Sequence, residues 1–116
     1  MKRGYFVTGT DTGVGKTLIA AAFIHAFALA GSKVAGMKPV AAGAEFVDGR
    51  WLNEDVSQLR AAANVDAPLS MINPYVFAPP IAPHIAAREA GVELAIEPVL
   101  AACNGLQNLA ETLVVE

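Results

Sequence analysis

Gly9-Thr10-Asp11-Thr12-Gly13-Val14-Gly15-Lys16-Thr17 is the stretch on which the reading of this 116-residue chain turns. A short apolar run, Tyr5-Phe6-Val7, precedes it, and a helix-forming run from Leu18 to Ala30 follows. Strand, glycine-bearing loop, then Gly-Lys-Thr opening a helix is the context of a phosphate loop. The first turn of a helix has unpaired N–H groups and a partial positive charge, so it attracts phosphate. Glycines let the backbone curl until several N–H groups converge on one anion. Lys16 would neutralise the β and γ phosphates, and the Thr17 hydroxyl would ligate magnesium. The usual spacing puts a glycine at position 10, where this chain has Thr10; Gly9 comes one residue early.

Outward from the loop, the chain predicts an α/β fold of P-loop type, with a doubly wound, mainly parallel sheet. Tyr5 to Thr8 is expected as a buried first strand, since apolar runs without alternation suit a sheet covered on both faces. A helix is expected from near Gly15 to about Ala30, ended by Gly31. Val34-Ala35-Gly36-Met37 reads as a second strand, which Lys38-Pro39 ends, completing a βαβ unit. Ala41 to Leu52 reads as an irregular loop. Glu54 and Asp55 mark the acidic first turn of a helix reaching Ala63. Asn64 to Pro83 is turn-rich, with Tyr75-Val76-Phe77 as a short strand. Helices are expected over Ile85 to Glu89 and Ile96 to Leu109, then a strand, Leu113-Val114-Val115, ending in Glu116.

Residues 1–116 show no repeat and no second domain boundary, and are expected to form a single domain. A buried strand stopping at a carboxylate reads as a sheet cut short. The chain is therefore expected to be the N-terminal half of a longer domain, and as a fragment to be poorly stable. Hydrophobic residues make up 54% and charged residues 16%, which excludes a disordered chain. A net charge of −3 gives no general attraction for nucleic acid. The start is basic but leads into a strand and not a signal peptide. The run from Leu18 to Ala30 is too short to span a bilayer. A soluble, cytoplasmic protein is expected, with no membrane partner. Cys103 reads as a small core residue, and no histidine–cysteine set has zinc spacing. No Gly-x-Ser-x-Gly elbow is present.

Ligands in open α/β sheets gather at the carboxyl ends of strands. Glu116 lies at such an end and suits magnesium, its bland reading being a solvated chain end; Asp55 could supply a second carboxylate or be helix-start charge only. Lys38, ending the second strand, would face the same edge and could stabilise a transferring phosphoryl group. Asp11 and Thr12 lie within the loop and could reach a ligand. His25 reads as a packing residue, while His84, in a loop, stays open.

The ordered motifs resemble dethiobiotin synthetase. Tyr5 through Thr17 resembles the opening of that family, whose loop has this same offset. Ala35-Gly36-Met37-Lys38-Pro39-Val40 resembles its second motif. Asn73-Pro74-Tyr75 and Pro80 to Ile85 resemble its middle section, and Leu113-Val114-Val115-Glu116 the start of its valine-glutamate-glycine motif. The resemblance implies an ATP-dependent, ADP-forming cyclo-ligase of biotin biosynthesis, working as a cytoplasmic homodimer with sites at the subunit interface. It would close the ureido ring of dethiobiotin from 7,8-diaminononanoate and CO2, using MgATP. Gly13, Val14, Gly15, Lys16 and Thr17 would bind ATP. Thr17, Asp55 and Glu116 would hold Mg2+ beside the nucleotide. Lys38, Lys16 and Thr12 would act on the carbamate and the transferred phosphate. Ala42 stands at a substrate position where the family usually has serine, so a hydrogen bond there is lost or supplied by backbone. Because the family's glycine-rich continuation lies past Glu116, the 116 residues alone are expected to have little or no activity. The rival expectation is a P-loop switch ATPase of the partitioning or septum-positioning type. Its signature lysine would fall at Asp11, which cannot supply that charge.

Overall fold

Two parallel strands running side by side form the spine of the computed structural model, which describes residues 2–9 and 15–116. They are β2 (Val34–Met37) and β7 (Thr112–Val115), with Val34 paired to Thr112 and Met37 to Val115. On the other side of β7 lies β1 (Arg3–Phe6), also parallel, giving the order β1-β7-β2. Alternate residues of these strands point to opposite faces, and both faces are covered. Val34 and Val114 meet Ala20 and Ile24 of α1 (Lys16–Leu29) and Leu59 of α2 (Glu54–Ala62). Ala35, Met37 and Leu113 meet Ile72 of α3 (Leu69–Ile72) and Ala102 and Leu106 of α5 (Ile96–Leu109). This is the doubly wound arrangement the apolar runs predict.

Gly36 shows how tightly the first face is closed. A Cβ built on it would lie 2.8 Å from Ile24 Cδ1 and 3.0 Å from Leu59 Cβ. Only a residue without a side chain lets α1 and α2 both seat on β2.

The first strand departs from expectation. It spans Arg3–Phe6 instead of Tyr5 to Thr8, and all four residues are exposed. Among the described residues β1 pairs with β7 alone, so no strand lies along its other side. Phe27 of α1 stacks on Tyr5 at 5.0 Å, but Phe6 stays 70% exposed. Helix α1 likewise has only Ala20 and Ile24 fully buried, and leaves Leu18, Phe23, His25 and Leu29 exposed. His25 is thus not the packing residue expected.

The larger correction concerns Ala41 to Leu52, which is ordered into strands. Strand β3 (Val40–Ala42) pairs in parallel with β6 (Tyr75–Phe77) as a separate two-stranded sheet. Strands β4 (Ala44–Val47) and β5 (Arg50–Asn53) form an antiparallel hairpin. Its turn is Asp48-Gly49, with φ of 50° and 82°. That left-handed pair is what a two-residue hairpin turn requires, and Asp-Gly is a preferred sequence for it. Phe46 and Trp51, directly opposite, add an edge-to-face contact at 5.3 Å. Helix α3 lies inside the segment expected to hold turns and a strand; α4 (Pro83–Glu89) starts two residues earlier than expected, with proline at its first position.

Gly36→Ala is expected to destabilise the fold by about 1–3 kcal/mol through overpacking. Urea unfolding monitored by circular dichroism measures it; an unchanged midpoint would show that α1 and α2 are not both seated on β2.

Candidate functional site

Parallel register delivers two side chains to one place. Lys38 follows Met37, Glu116 follows Val115, and those two residues are partners across β2 and β7. The pairing continues one step further, the Glu116 amide donating to the Met37 carbonyl at 2.8 Å. Lys38 and Glu116 therefore leave the sheet side by side at its carboxyl edge. The Lys38 ammonium lies 3.4 Å from Glu116 Oε1 and 2.9 Å from Asp55 Oδ2.

Asp55 arrives from the first turn of α2. Asn53 caps that helix, its Oδ1 accepting from the Val56 amide at 3.2 Å. The Asn53 amide group also donates to the carbonyls of Ala42 (3.1 Å) and Gly43 (3.0 Å). Thr17 arrives from the first turn of α1 and donates its hydroxyl to Glu116 Oε1 at 2.6 Å. Glu116 Oε1 is thus shared by the hydroxyl next to Lys16 and by the ammonium of Lys38. The helix before Thr17 is entered through Gly15, at φ 86° and ψ 20°.

The backbone at Lys38 is pinned on both sides. Its amide donates to Ile72 O at 2.8 Å, and its carbonyl accepts from Asn73 Nδ2, also at 2.8 Å. Asn73 is itself buried.

Charge burial differs across the cluster. The Glu116 side chain is 4% exposed, that of Lys38 17%, and that of Asp55 40%. Glu116 Oε2 is buried and has no hydrogen-bond partner among the described residues. Such an oxygen is costly unless a cation or donor reaches it. Thr17, Asp55 and Glu116 offer only hard oxygen atoms, which suits magnesium. No group of three or more histidine, cysteine, aspartate or glutamate residues could hold a metal among the described residues. Two carboxylates and a hydroxyl still fit an ion that keeps waters and phosphate oxygens in its shell.

Of the residues singled out in the sequence, Thr17, Lys38, Asp55 and Glu116 come together. Lys16 opens α1 beside Thr17 and is partly buried. Ala42, partly buried in β3, enters the arrangement through its carbonyl. Asp11, Thr12, Gly13 and Val14 lie outside the described residues. His84 is exposed on α4, and Cys103 packs against the core around Leu106. Asn53 and Asn73 were not recognisable as site residues. Asn53 has a cap signature before two acidic residues, but its bonds to Ala42 and Gly43 exist only because the hairpin folds back. A hollow of about 370 Å3 opens beside the start of α2, lined by Gly43, Glu45, Val47, Leu52, Asn53, Glu54 and Ser57.

The model of a family described as "AAA domain" matches residues 3–116. A protein of Aromatoleum aromaticum named "ATP-dependent dethiobiotin synthetase BioD" is 50% identical over 114 residues, covering 98% of this chain and 51% of the relative. One of the same name from Nitrosospira multiformis is 53% identical over 116 residues, covering 100% and 50%. A third of that name, from Xanthomonas axonopodis pv. citri, is 46% identical over 112 residues, covering 97% and 50%. The chain spans about half the length of the curated relatives it matches.

Lys38→Met leaves the Glu116 carboxylate buried without its ammonium partner. Combined with Glu116→Gln, the loss should be partly recovered, giving a coupling of about 0.5–3 kcal/mol in a double-mutant unfolding cycle. Strict additivity would show that the two side chains do not interact.

Proposed function

We propose that this chain, which belongs to the AAA domain family, supplies the phosphate-handling part of an ATP-dependent dethiobiotin synthetase. The observation that carries the reading is the convergence on Glu116: Thr17, next to Lys16 on α1, and Lys38, at the end of β2, share one carboxylate oxygen. The carboxyl edge of the sheet thus brings the phosphate-loop helix and a second lysine to one place. Each relative's name specifies ATP-dependent dethiobiotin synthesis, and the motif resemblance points the same way.

The reaction fits such a place. One amine of 7,8-diaminononanoate adds to CO2, losing a proton and becoming a carbamate. A carbamate oxygen is a poor leaving group, so it takes the γ-phosphoryl group of ATP, releasing ADP. The neighbouring amine attacks the carbonyl carbon, loses a proton, and expels phosphate as the ureido ring closes. Each stage crowds anionic oxygens together, and the groups required are cations and N–H donors held in position. Lys16 and the amides at the start of α1 would bind the triphosphate. Lys38 would turn from its carboxylate partners towards the carbamate and the incoming phosphoryl group. Thr12 would contact the carbamate, Gly13, Val14 and Gly15 the phosphates, and the Ala42 segment would border the diamine. Thr17, Asp55 and Glu116 would hold Mg2+, which supplies charge neutralisation for the phosphates. No protein nucleophile is needed.

The reading extends to a cytoplasmic homodimer acting on small molecules, with no nucleic-acid or membrane partner. No helix among the described residues is long and apolar enough to cross a membrane. The partitioning-type switch ATPase is less well supported, because the relatives' names concern synthesis and Asp11 stands where that group has its lysine.

In the full-length protein, Lys38→Ala should lower turnover of 7,8-diaminononanoate by about 10²–10³-fold, the loss typical of removing one donor to a developing anion. Binding of ATP, measured by calorimetry, should change much less. Unaltered turnover would remove Lys38 from the mechanism.

A further inference from the structure

We propose that Asn53 is a positioning residue that sets Asp55 at its working distance from Lys38 and from strand β3. The inference rests on the metal-holding role proposed for Asp55. The Asn53 side chain has an acceptor oxygen and two N–H donors, and the oxygen and both N–H groups are engaged. Oδ1 takes the Val56 amide at 3.2 Å, while Nδ2 gives its hydrogens to Ala42 O at 3.1 Å and Gly43 O at 3.0 Å. Asn53 is only 6% exposed, so water cannot readily substitute for these bonds.

The three contacts separate into two tasks. Capping the helix needs only an acceptor, which serine or aspartate would supply equally well. The two donated bonds need a side-chain amide. They tie the start of α2 to the chain that leaves Lys38-Pro39 and passes through β3. Asp55 is the second residue of α2, and its carboxylate is 2.9 Å from the Lys38 ammonium. Lys38 is independently anchored by Ile72 and Asn73. Without the amide clamp, the first turn of α2 can shift against β3 while Lys38 stays in place. A site of this kind needs its groups held to about 0.5 Å by such supporting bonds.

The full-length protein, with ADP present, allows a direct test by Mn2+ titration followed by electron paramagnetic resonance. Asn53→Ser keeps the cap acceptor and loses both donors. It should weaken Mn2+ binding about tenfold or more, as loss of a supporting shell around a metal typically does. Asn53→Asp, also a good cap, should do the same and decides the matter if the serine variant does not fold. Asn64→Ala is the comparison. Asn64 accepts from the Val34 amide at 2.8 Å and donates to Ser32 O at 2.9 Å, at the far end of β2 from Lys38. That variant should melt earlier yet bind Mn2+ as the unaltered protein does. Mn2+ affinity unchanged in both Asn53 variants, with Asp55→Asn weakening it, would overturn the positioning role alone. Affinity unchanged in Asp55→Asn would instead overturn the metal role of Asp55, and the inference with it.

Discussion

A carboxylate nearly out of contact with water must find positive charge or donors, and the neighbourhood of Glu116 is built around that requirement. Its Oε1 receives the Thr17 hydroxyl and faces the Lys38 ammonium, while Asp55 draws the same ammonium from the other side. Without these partners the charge would cost several kcal/mol. Four elements, α1, β2, α2 and β7, are therefore held together there by electrostatics as well as by packing. The arrangement leaves Oε2 with no partner among the described residues. A bound cation would satisfy that atom, as the magnesium-holding role proposed for Glu116 requires.

Strand register makes the convergence possible. In a parallel pair the partners Met37 and Val115 bring the next residues out at the same edge. Slipping β7 by one residue would turn Glu116 to the opposite face and separate it from Lys38. The register is guarded by side chains on both faces: Val114 against Ile24 and Leu59, Leu113 against the cluster containing Leu106. Core packing and site geometry are thus one constraint. Gly36 contributes from within the same strand, since its missing side chain lets α1, which carries Thr17, and α2, which carries Asp55, approach β2 together.

Much of this was legible beforehand where local chemistry is decisive. The limits of β2 and α5 follow from a continuous apolar run and from a long helical pattern with proline in its first turn. The helix start at Lys16 and Thr17 follows from their place after a strand and a glycine-bearing loop. Lys38 and Glu116 were recognisable because each ends an apolar strand. The glycines of the segment from Ala41 to Leu52 suggest irregularity, yet the segment is ordered into strands. Asp48-Gly49, flanked by Phe46 and Trp51, held the hairpin signal in plain view. The exposure of β1 goes with its having one strand neighbour among the described residues, and an apolar run does not state how many neighbours a strand has.

Residue types and their spacing were enough to establish the fold class, the family resemblance and the identities of the charged groups at strand ends. These depend on short-range rules: helix starts attract anions, and parallel strands are apolar on both faces. Which of those groups meet was decided only by the folded chain. Separations of 17 residues between Lys38 and Asp55, and of 99 between Thr17 and Glu116, are closed by sheet register and helix docking. The roles of Asn53 and Asn73 belong to the same class. An asparagine becomes a clamp only when distant carbonyls are brought within reach of its amide, and no local pattern encodes that.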